Sequence, residues 1–478
     1  MCVRRTFLPL LFALLSIPAW GKVLVRWTQP VIPAARRLGM NELVISWDRN
    51  RLSMFRDAAR QGYRVYAEVT LRDTSAAAKA AAKNGFAGIV VDPGDSGQAE
   101  VGQALQKLRS SYPKLMFRVV NPNGKQPQMR GQLVINRNGI LEATSPTAQP
   151  WLDTNLAWVR LEQAFRPAQV PLYSFHWELI GALQQQQGPD VPDYALAVAE
   201  AGALDADMIL PLHESLETGM AQNKPSAWAM WDQVKTYVRF FSHHPQRRLD
   251  PEVNVAVVTG NNGSSYEPLN LMARHNIAFR VLRPDELNSR NLQAVDVVLV
   301  FVALQKQTPE IISAFAARGG IAVLMDSHGS YPWQSAQQAR TGEHSVAYLV
   351  GKGRIIELAE PVTDPEVLAQ DVRRLIDNHK IRISMWNALT TIVVLYRASN
   401  TPDTIVELLN YAEEPLRVQV QVKGSFRSIR YETPERACCE SLMPVQRDGF
   451  TEFVVPSLKI AGRLHLEPGL AESAINHQ

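Results

Sequence analysis

The chain of 478 residues is too long for one ordinary domain, and two or three cores are expected. A hydrophobic content of 46% with 20% charged residues describes a globular protein and excludes disordered and fibrous classes. The formal net charge is only +4, and Arg4 and Arg5 of that excess lie in a leader, so electrostatics give no case for nucleic acid.

The leader is residues 1–21. A basic start at Arg4 and Arg5, an apolar run over residues 7–17 and the small-x-small exit Ala19-Trp20-Gly21 read as a secretory signal cleaved after Gly21. The run is short for a membrane span and no later one reaches its length. The mature chain is therefore expected to be periplasmic or secreted, without a stable span. A retained signal anchor is the competing reading. Beyond Cys2, only Cys438 and Cys439 remain. Adjacent cysteines pair only under strain, and no histidine or second cysteine pair stands near them at ligand spacing. No disulfide framework, metal or cofactor is therefore expected.

Residues 22–250 alternate β-rich and helical runs. Strands are predicted over residues 23–27, 42–47, 63–69, 87–91 and 115–120, with helices between them that end near Gly39, Gly62 and Gly85. The beat then loosens, and residues 132–135 with 140–143 read as a sixth strand or a hairpin. A seventh strand over 172–177 and an eighth over 207–212 complete a (β/α)8 TIM barrel. An open doubly wound sheet lacks support, since no Gly-x-Gly-x-x-Gly turn or phosphate loop appears.

Functional residues of such a barrel come from the carboxyl ends of its strands. These ends offer Arg26 and Trp27; Trp47 and Asp48; Glu68; Asp92 and Asp95; Asn121 and Asn123; Glu142; His176, Trp177 and Glu178; and His213 and Glu214. Carboxylates among aromatic platforms suit sugars, whose apolar faces stack on indole and whose glycosidic oxygen needs an acid opposite a base or nucleophile. The same residues also serve as ordinary polar caps of buried strands.

Residues 251–380 form a new three-layer α/β unit with a parallel sheet. Its outline resembles the flavodoxin-like class I glutamine amidotransferase fold. No cysteine lies between Cys2 and Cys438, so the nucleophile that such an enzyme needs is missing. The unit reads as structural or as an assembly surface, and a homo-oligomer through it is one expectation. Residues 381–470 switch to short period-two strands, as in Arg417-Val418-Gln419-Val420-Gln421-Val422, which predict a small antiparallel β-sandwich.

An exported barrel, an amidotransferase-like domain without its cysteine and a terminal β domain containing Val406-Glu-Leu-Leu-Asn-Tyr411 together resemble the three-part build of family 42 β-galactosidases and related glycoside hydrolases. In that family the middle domain is a trimerisation domain. The resemblance implies a nucleophilic glutamate at the end of the seventh strand, which Glu178 matches. It also implies an acid/base glutamate after asparagine at the end of the fourth, where this chain has Val91-Asp92-Pro93. Two readings follow. The first is an exported glycoside hydrolase with Glu178, Asp92 and Glu214 as its catalytic carboxylates, and Trp47, Glu68, His176, Trp177 and His213 binding a carbohydrate substrate. The second is a degenerate barrel that binds glycan or serves as an envelope scaffold. A metal hydrolase using His176, Glu178 and His213 is a distant third, unsupported by any metal-binding spacing.

Overall fold

The structure is a computed structural model that describes residues 23–94, 96–120, 134–137, 140–143, 154–177, 188–242, 250–260, 265–304, 307–325, 329–342, 344–360, 362, 364–397, 403–437 and 439–469. The leader, Asp95, Asn121, Asn123 and Glu178 lie outside the described residues.

The first domain is a nearly closed barrel of parallel strands: β1 (Val23–Arg26), β2 (Glu42–Ser46), β3 (Arg64–Thr70), β4 (Gly88–Asp92), β5 (Met116–Val119), β8 (Leu172–Ser174) and β9 (Asp207–Pro211). Their order is β5-β4-β3-β2-β1-β9-β8, so the first strand of the barrel is zipped to its last described strand. The predicted sixth strand takes the other form foreseen for it. β6 (Val134–Arg137) and β7 (Ile140–Ala143) pair antiparallel with each other and, among the described residues, with no other strand. The parallel sheet thus has seven strands among the described residues, and its edges are β5 and β8.

Local chemistry explains the beat of the barrel. Helix Ala35–Leu38 stops at Gly39, whose φ of 78° is the left-handed conformation, and Gly39 N–H returns to the carbonyl of Ala35. Inside the barrel, alternation along each strand gathers Leu24, Val44, Tyr66, Val90, Val120, Leu172 and Ile209 into one dry layer. Toward the amino ends of the strands this layer is closed by charge. Arg64 meets Glu42 at 3.1 Å, and Arg118 of β5 is paired with Asp207 of β9 across the barrel.

The middle domain has a sheet of five parallel strands in the order Phe279–Leu282, Val255–Val258, Val297–Val300, Ile321–Leu324, Gly353–Leu358. Two antiparallel strands, Ser345–Val350 and Gln338–Gly342, extend its edge. The C-terminal domain is a sandwich of a six-stranded and a four-stranded antiparallel sheet. Val406, Val418, Val420, Phe453, Val455 and Leu464 are buried between them.

The barrel and sandwich are joined through helix Val191–Ala203, which is buried along almost its whole length. Glu200, fully buried on this helix, takes a hydrogen bond from Asn155 Nδ2 at 2.6 Å and another from the Tyr411 hydroxyl of the sandwich. Nearby, the Tyr396 hydroxyl donates to the carbonyl of Ala203 at 2.9 Å, and Arg160 lies over the Tyr396 ring. Burial raises the pKa of Glu200, and the donors from Tyr411, Asn155 and Thr154 only partly oppose the rise. The folded state therefore favours the protonated acid. Stability from this group is complete below the unfolded carboxyl pKa and is lost as pH rises through the raised folded value. The melting temperature of Glu200→Gln relative to wild type should accordingly increase as pH is raised from about 4, the ordinary carboxyl range. A constant difference across a pH series of thermal melts would contradict this. Tyr411→Phe should cost about 1–3 kcal/mol, since it removes a donor from a buried oxygen.

Candidate functional site

The rim is built on the dry layer. One inward position further along the strands stand Arg26 on β1, Ser46 on β2, Glu68 on β3 and Ser174 on β8. They are brought together. Arg26 Nε donates to Glu68 Oε2 at 2.8 Å and Arg26 Nη2 to Glu68 Oε1 at 2.6 Å, a two-pronged pair. Arg26 Nη2 also reaches Ser174 Oγ at 3.0 Å, and that hydroxyl donates to the carbonyl of Ile209 at 3.1 Å. One guanidinium therefore ties β1, β3 and β8 across the mouth, with side-chain exposures of 17% for Arg26 and 13% for Glu68.

The other predicted residues are arranged around this floor. Asp92 is exposed at the end of β4, and its Oδ1 accepts the backbone N–H of Gly94 at 3.0 Å. Trp47, half-buried after β2, meets Phe55 edge-on at 5.9 Å. His176 is exposed after β8. Trp177 is held between Phe175 and Tyr194, each 5.0 Å away, and its Nε1 donates to the carbonyl of Pro211 at 2.9 Å. Its ring braces β8 against β9. Trp27 is fully buried and bonded to the carbonyl of Val31, which leaves no face of it at the rim.

His213 caps the helix Glu214–Ala221. Its Nδ1 accepts from Ser215 N–H at 3.3 Å and lies 2.9 Å from Ser215 Oγ, while its own N–H donates to the Tyr194 hydroxyl at 2.9 Å. The chain that leaves β8 through Glu178 returns beside this ring at Gly188. With φ of 74°, Gly188 presses so close that a Cβ would stand 2.5 Å from His213 Nδ1. Glu214, in the first turn of the same helix, is exposed.

Glu217, three residues along, was not singled out from sequence. It is 2% exposed and accepts from the Thr28 hydroxyl at 2.5 Å, the Thr28 N–H and the Gln29 N–H at 3.3 Å. Burial raises its pKa, against those donors. Glu217 thus fixes the loop after β1 to the helix after β9. The signal for it was weak: only its placement on the apolar side of the helix, beside Leu216 and Met220, separates it from Glu214.

No helix among the described residues is long and apolar enough to cross a membrane. Among the same residues no three His, Cys, Asp or Glu side chains gather as a group able to hold a metal. A cleft of about 370 Å³ between barrel and middle domain, lined by Arg160, Asp205, Arg280 and Glu286, opens beside Pro171 at the amino end of β8. It lies at the opposite end of the barrel from the rim.

The barrel, middle α/β unit and terminal sandwich are the fold of family-42-type glycoside hydrolases. Two solved structures align along nearly the whole chain. The α-L-fucosidase isoenzyme 2 from Paenibacillus thiaminolyticus has a TM-score of 0.56 at 11% identity, covering 94% of this chain and 100% of its own. A catalytic mutant of Gan42B, a family 42 β-galactosidase from G. stearothermophilus, also has a TM-score of 0.56, at 8% identity, covering 94% of this chain and 98% of its own. No family model matches the sequence, and no curated protein does. At such identities the likeness defines the fold alone.

Arg26→Ala should destabilise the protein by about 3–5 kcal/mol, because it leaves the Glu68 carboxylate largely buried without its cation. Arg26→Met combined with Glu68→Leu should recover most of that loss. Urea unfolding of Arg26→Met, Glu68→Leu and the double variant measures the coupling. Additive losses would mean that the pair does not act as a unit.

Proposed function

We propose that this protein is an exported glycoside hydrolase that acts on a carbohydrate through carboxylates at the barrel rim. The observation that carries the reading is the tied floor of Arg26, Glu68 and Ser174 at the carboxyl end of a barrel with this domain order. A rigid, charged floor orients sugar hydroxyls, and the residues around it supply the reacting groups. Glu178, four residues beyond β8 in sequence, is the nucleophile or water-activating base. Asp92 or Glu214 protonates the leaving oxygen. His176, His213 and Glu68 hold hydroxyls, and Trp47 and Trp177 provide apolar ring edges. A separation near 5 Å between the two working carboxyls would retain configuration, and one of about 6.5–9.5 Å would invert it.

One observation favours a second reading, in which the barrel binds glycan without cleaving it. At the end of β4 stands an aspartate already engaged by Gly94 N–H, where the resemblance implies a glutamate following asparagine. A shorter side chain held by its own turn reaches less far into the mouth.

The test is release of reducing sugar or chromophore from a panel of aryl glycosides and polysaccharides. Wild type should be active, and Glu178→Gln should lower turnover by about 10²–10⁴-fold. Asp92→Asn and Glu214→Gln, run in parallel, should separate the acid from the bystander, since only one should match that loss. Silence of folded wild type across the panel, with glycan binding intact, would establish the second reading. Undiminished turnover in Glu178→Gln would overturn the assignment of the nucleophile.

A further inference from the structure

The four-stranded sheet of the C-terminal sandwich has one face in the core and one in water. It is built of Ile383–Trp386, Leu416–Lys423, Phe450–Leu458 and Val445–Arg447, in that order. Val418, Val420, Val422, Phe453 and Val455 point inward and are buried. The register sets what points outward. A first row across the strands is Trp386, Gln419 and Val454; the next is Ser384, Gln421, Glu452 and Val445. Met443 stands two residues before Val445, on the side of Val454. Arg417, exposed and two residues before Gln419, marks the row on the other side of the first. The six-stranded sheet carries the contacts with the barrel, through Tyr396 and Tyr411, so this face lies on the far side of the sandwich.

Ten large apolar side chains are exposed among the described residues, and four of them, Trp386, Met443, Val445 and Val454, gather on this face. The other six are spread over the barrel, the middle domain and the turn after Trp386. Trp386 is 46% exposed and Met443 84%, whereas both residue types are normally found mostly buried. Tryptophan, methionine and arginine are side chains that protein interfaces collect. The charges on the face nearly balance, and their placement is ordered. Glu452 lies one row to one side of the first row, and Arg417 one row to the other. With strands about 4.8 Å apart and outward residues about 6.8 Å apart along each strand, the two stand about 14 Å apart, too far for an ion pair within one chain. Glu452 is steadied by Gln421, whose Nε2 donates to its Oε1 at 3.0 Å. At the hairpin end, Asp448 lies 3.9 Å from Arg447.

We propose that this face is the self-association surface of the protein, and that its occupant is the same face of a second copy, related by a two-fold axis laid along the row of Trp386, Gln419 and Val454. Two sheets stacked face to face stand about 10 Å apart, which leaves room for one interdigitated layer of side chains. Half a turn about that axis sets the first row on its own copy, apolar on apolar. It also carries each row on one side over the row on the other, so that Glu452 of each chain faces Arg417 of the partner subunit from the neighbouring strand. Lys423, two rows out on the Glu452 side, comes over the turn that carries the exposed Glu414. Charge that balances within one face and is opposite in sign across the axis is complemented by a second copy of that face. A partner of one net sign would gain as much repulsion as attraction. Four strands by about four rows give roughly 19 by 27 Å, about 500 Å² from each copy and about 1,000 Å² in all, the lower bound for a specific interface. The contact is therefore a weak dimer. It lies away from the barrel rim and is independent of whether the barrel cleaves glycosides.

The experiment is sedimentation velocity of the full-length mature protein over about 1 to 100 μM, the range suited to an interface of this size. Wild type should pass from monomer to dimer as concentration rises. Trp386→Ala should weaken the dimer about tenfold or more, as the loss of an aromatic anchor does. Val454→Glu sets two like charges against each other across the axis and should leave monomer throughout. Glu452→Arg and Arg417→Glu should each weaken association severalfold, and the two together should restore it, because the exchanged charges meet only between copies. Thermal melts check that every variant is folded. The proposal is overturned by a wild type that stays monomeric at the highest concentration, by a trimer, or by an oligomer that Trp386→Ala and Val454→Glu leave intact, which would place the association elsewhere, as in the middle domain. A double charge variant no better than its singles would overturn the two-fold pairing.

Discussion

Helix Val191–Ala203 has no side that tolerates water. Tyr194, Ala195, Leu196, Ala197, Val198 and Ala199 are all fully buried, although they point in every direction around the axis. A helix apolar all round must be covered all round. One side rests on the barrel, where Tyr194 packs against Trp177, and the other meets the sandwich, whose Tyr411 reaches Glu200. A further neighbour, the long helix Pro225–Ser242, comes so close that a Cβ on Gly202 would stand 2.3 Å from the Phe241 ring. The barrel in this chain is therefore not a free-standing unit with appendages. Removing the sandwich would expose the most apolar helix of the barrel together with a buried carboxyl.

The same dependence reaches the rim. The helix begins after the loop that leaves β8, and its Tyr194 hydroxyl accepts the N–H of His213 at the end of β9. The cap on the following helix, the Glu217 clasp on Thr28 and the Arg26–Glu68–Ser174 floor continue the chain of contacts from β9 to β1, β3 and β8. Among the described residues the parallel sheet of the barrel ends at β5 and β8. Side-chain ties across the lumen, Arg118 to Asp207 below and Arg26 to Ser174 above, hold the strands on both sides of the dry layer. Charge inside this barrel thus has a structural role as well as whatever role it takes toward substrate.

Much of this was legible from sequence, for physical reasons. A parallel strand buried on both faces is an unbroken run such as Ile89-Val90-Val91, and its helix ends at a glycine, so the order of barrel elements could be read directly. The period-two run from Arg417 to Val422 revealed the sandwich in the same way, with valines turned inward. The site was only partly legible. Strand ends named Arg26 and Glu68 separately, but their pairing spans 42 residues and depends on which strands are neighbours. Glu217 was missed because helical phase decides which glutamate of Glu214-Ser215-Leu216-Glu217 is buried, and two polar residues among few apolar ones leave that phase undefined. Trp27 was read as a rim aromatic, yet it is fully buried, since a tryptophan at a strand end is as useful for packing as for stacking.

The distribution of polar groups around the mouth bears on the chemistry. On the β1, β3 and β8 side the inward side chains are bonded to one another, so a ligand there meets a preorganised surface whose groups need no rearrangement. On the β4 side the corresponding position carries Asp92, exposed and turned into its own loop. Preorganisation is therefore concentrated on one half of the rim, the half that also receives the chain leaving β8. A hydrolase needs reacting groups on both sides of the scissile bond, whereas a binding site can work from one. If the chain hydrolyses glycosides, two of the described carboxyls offer routes to its acid: Asp92, released from its turn by substrate, and Glu214 on the β9 side, in the first turn of a helix capped by His213. The second route asks for less rearrangement, since that helix is already fixed to the loop after β1 by Glu217.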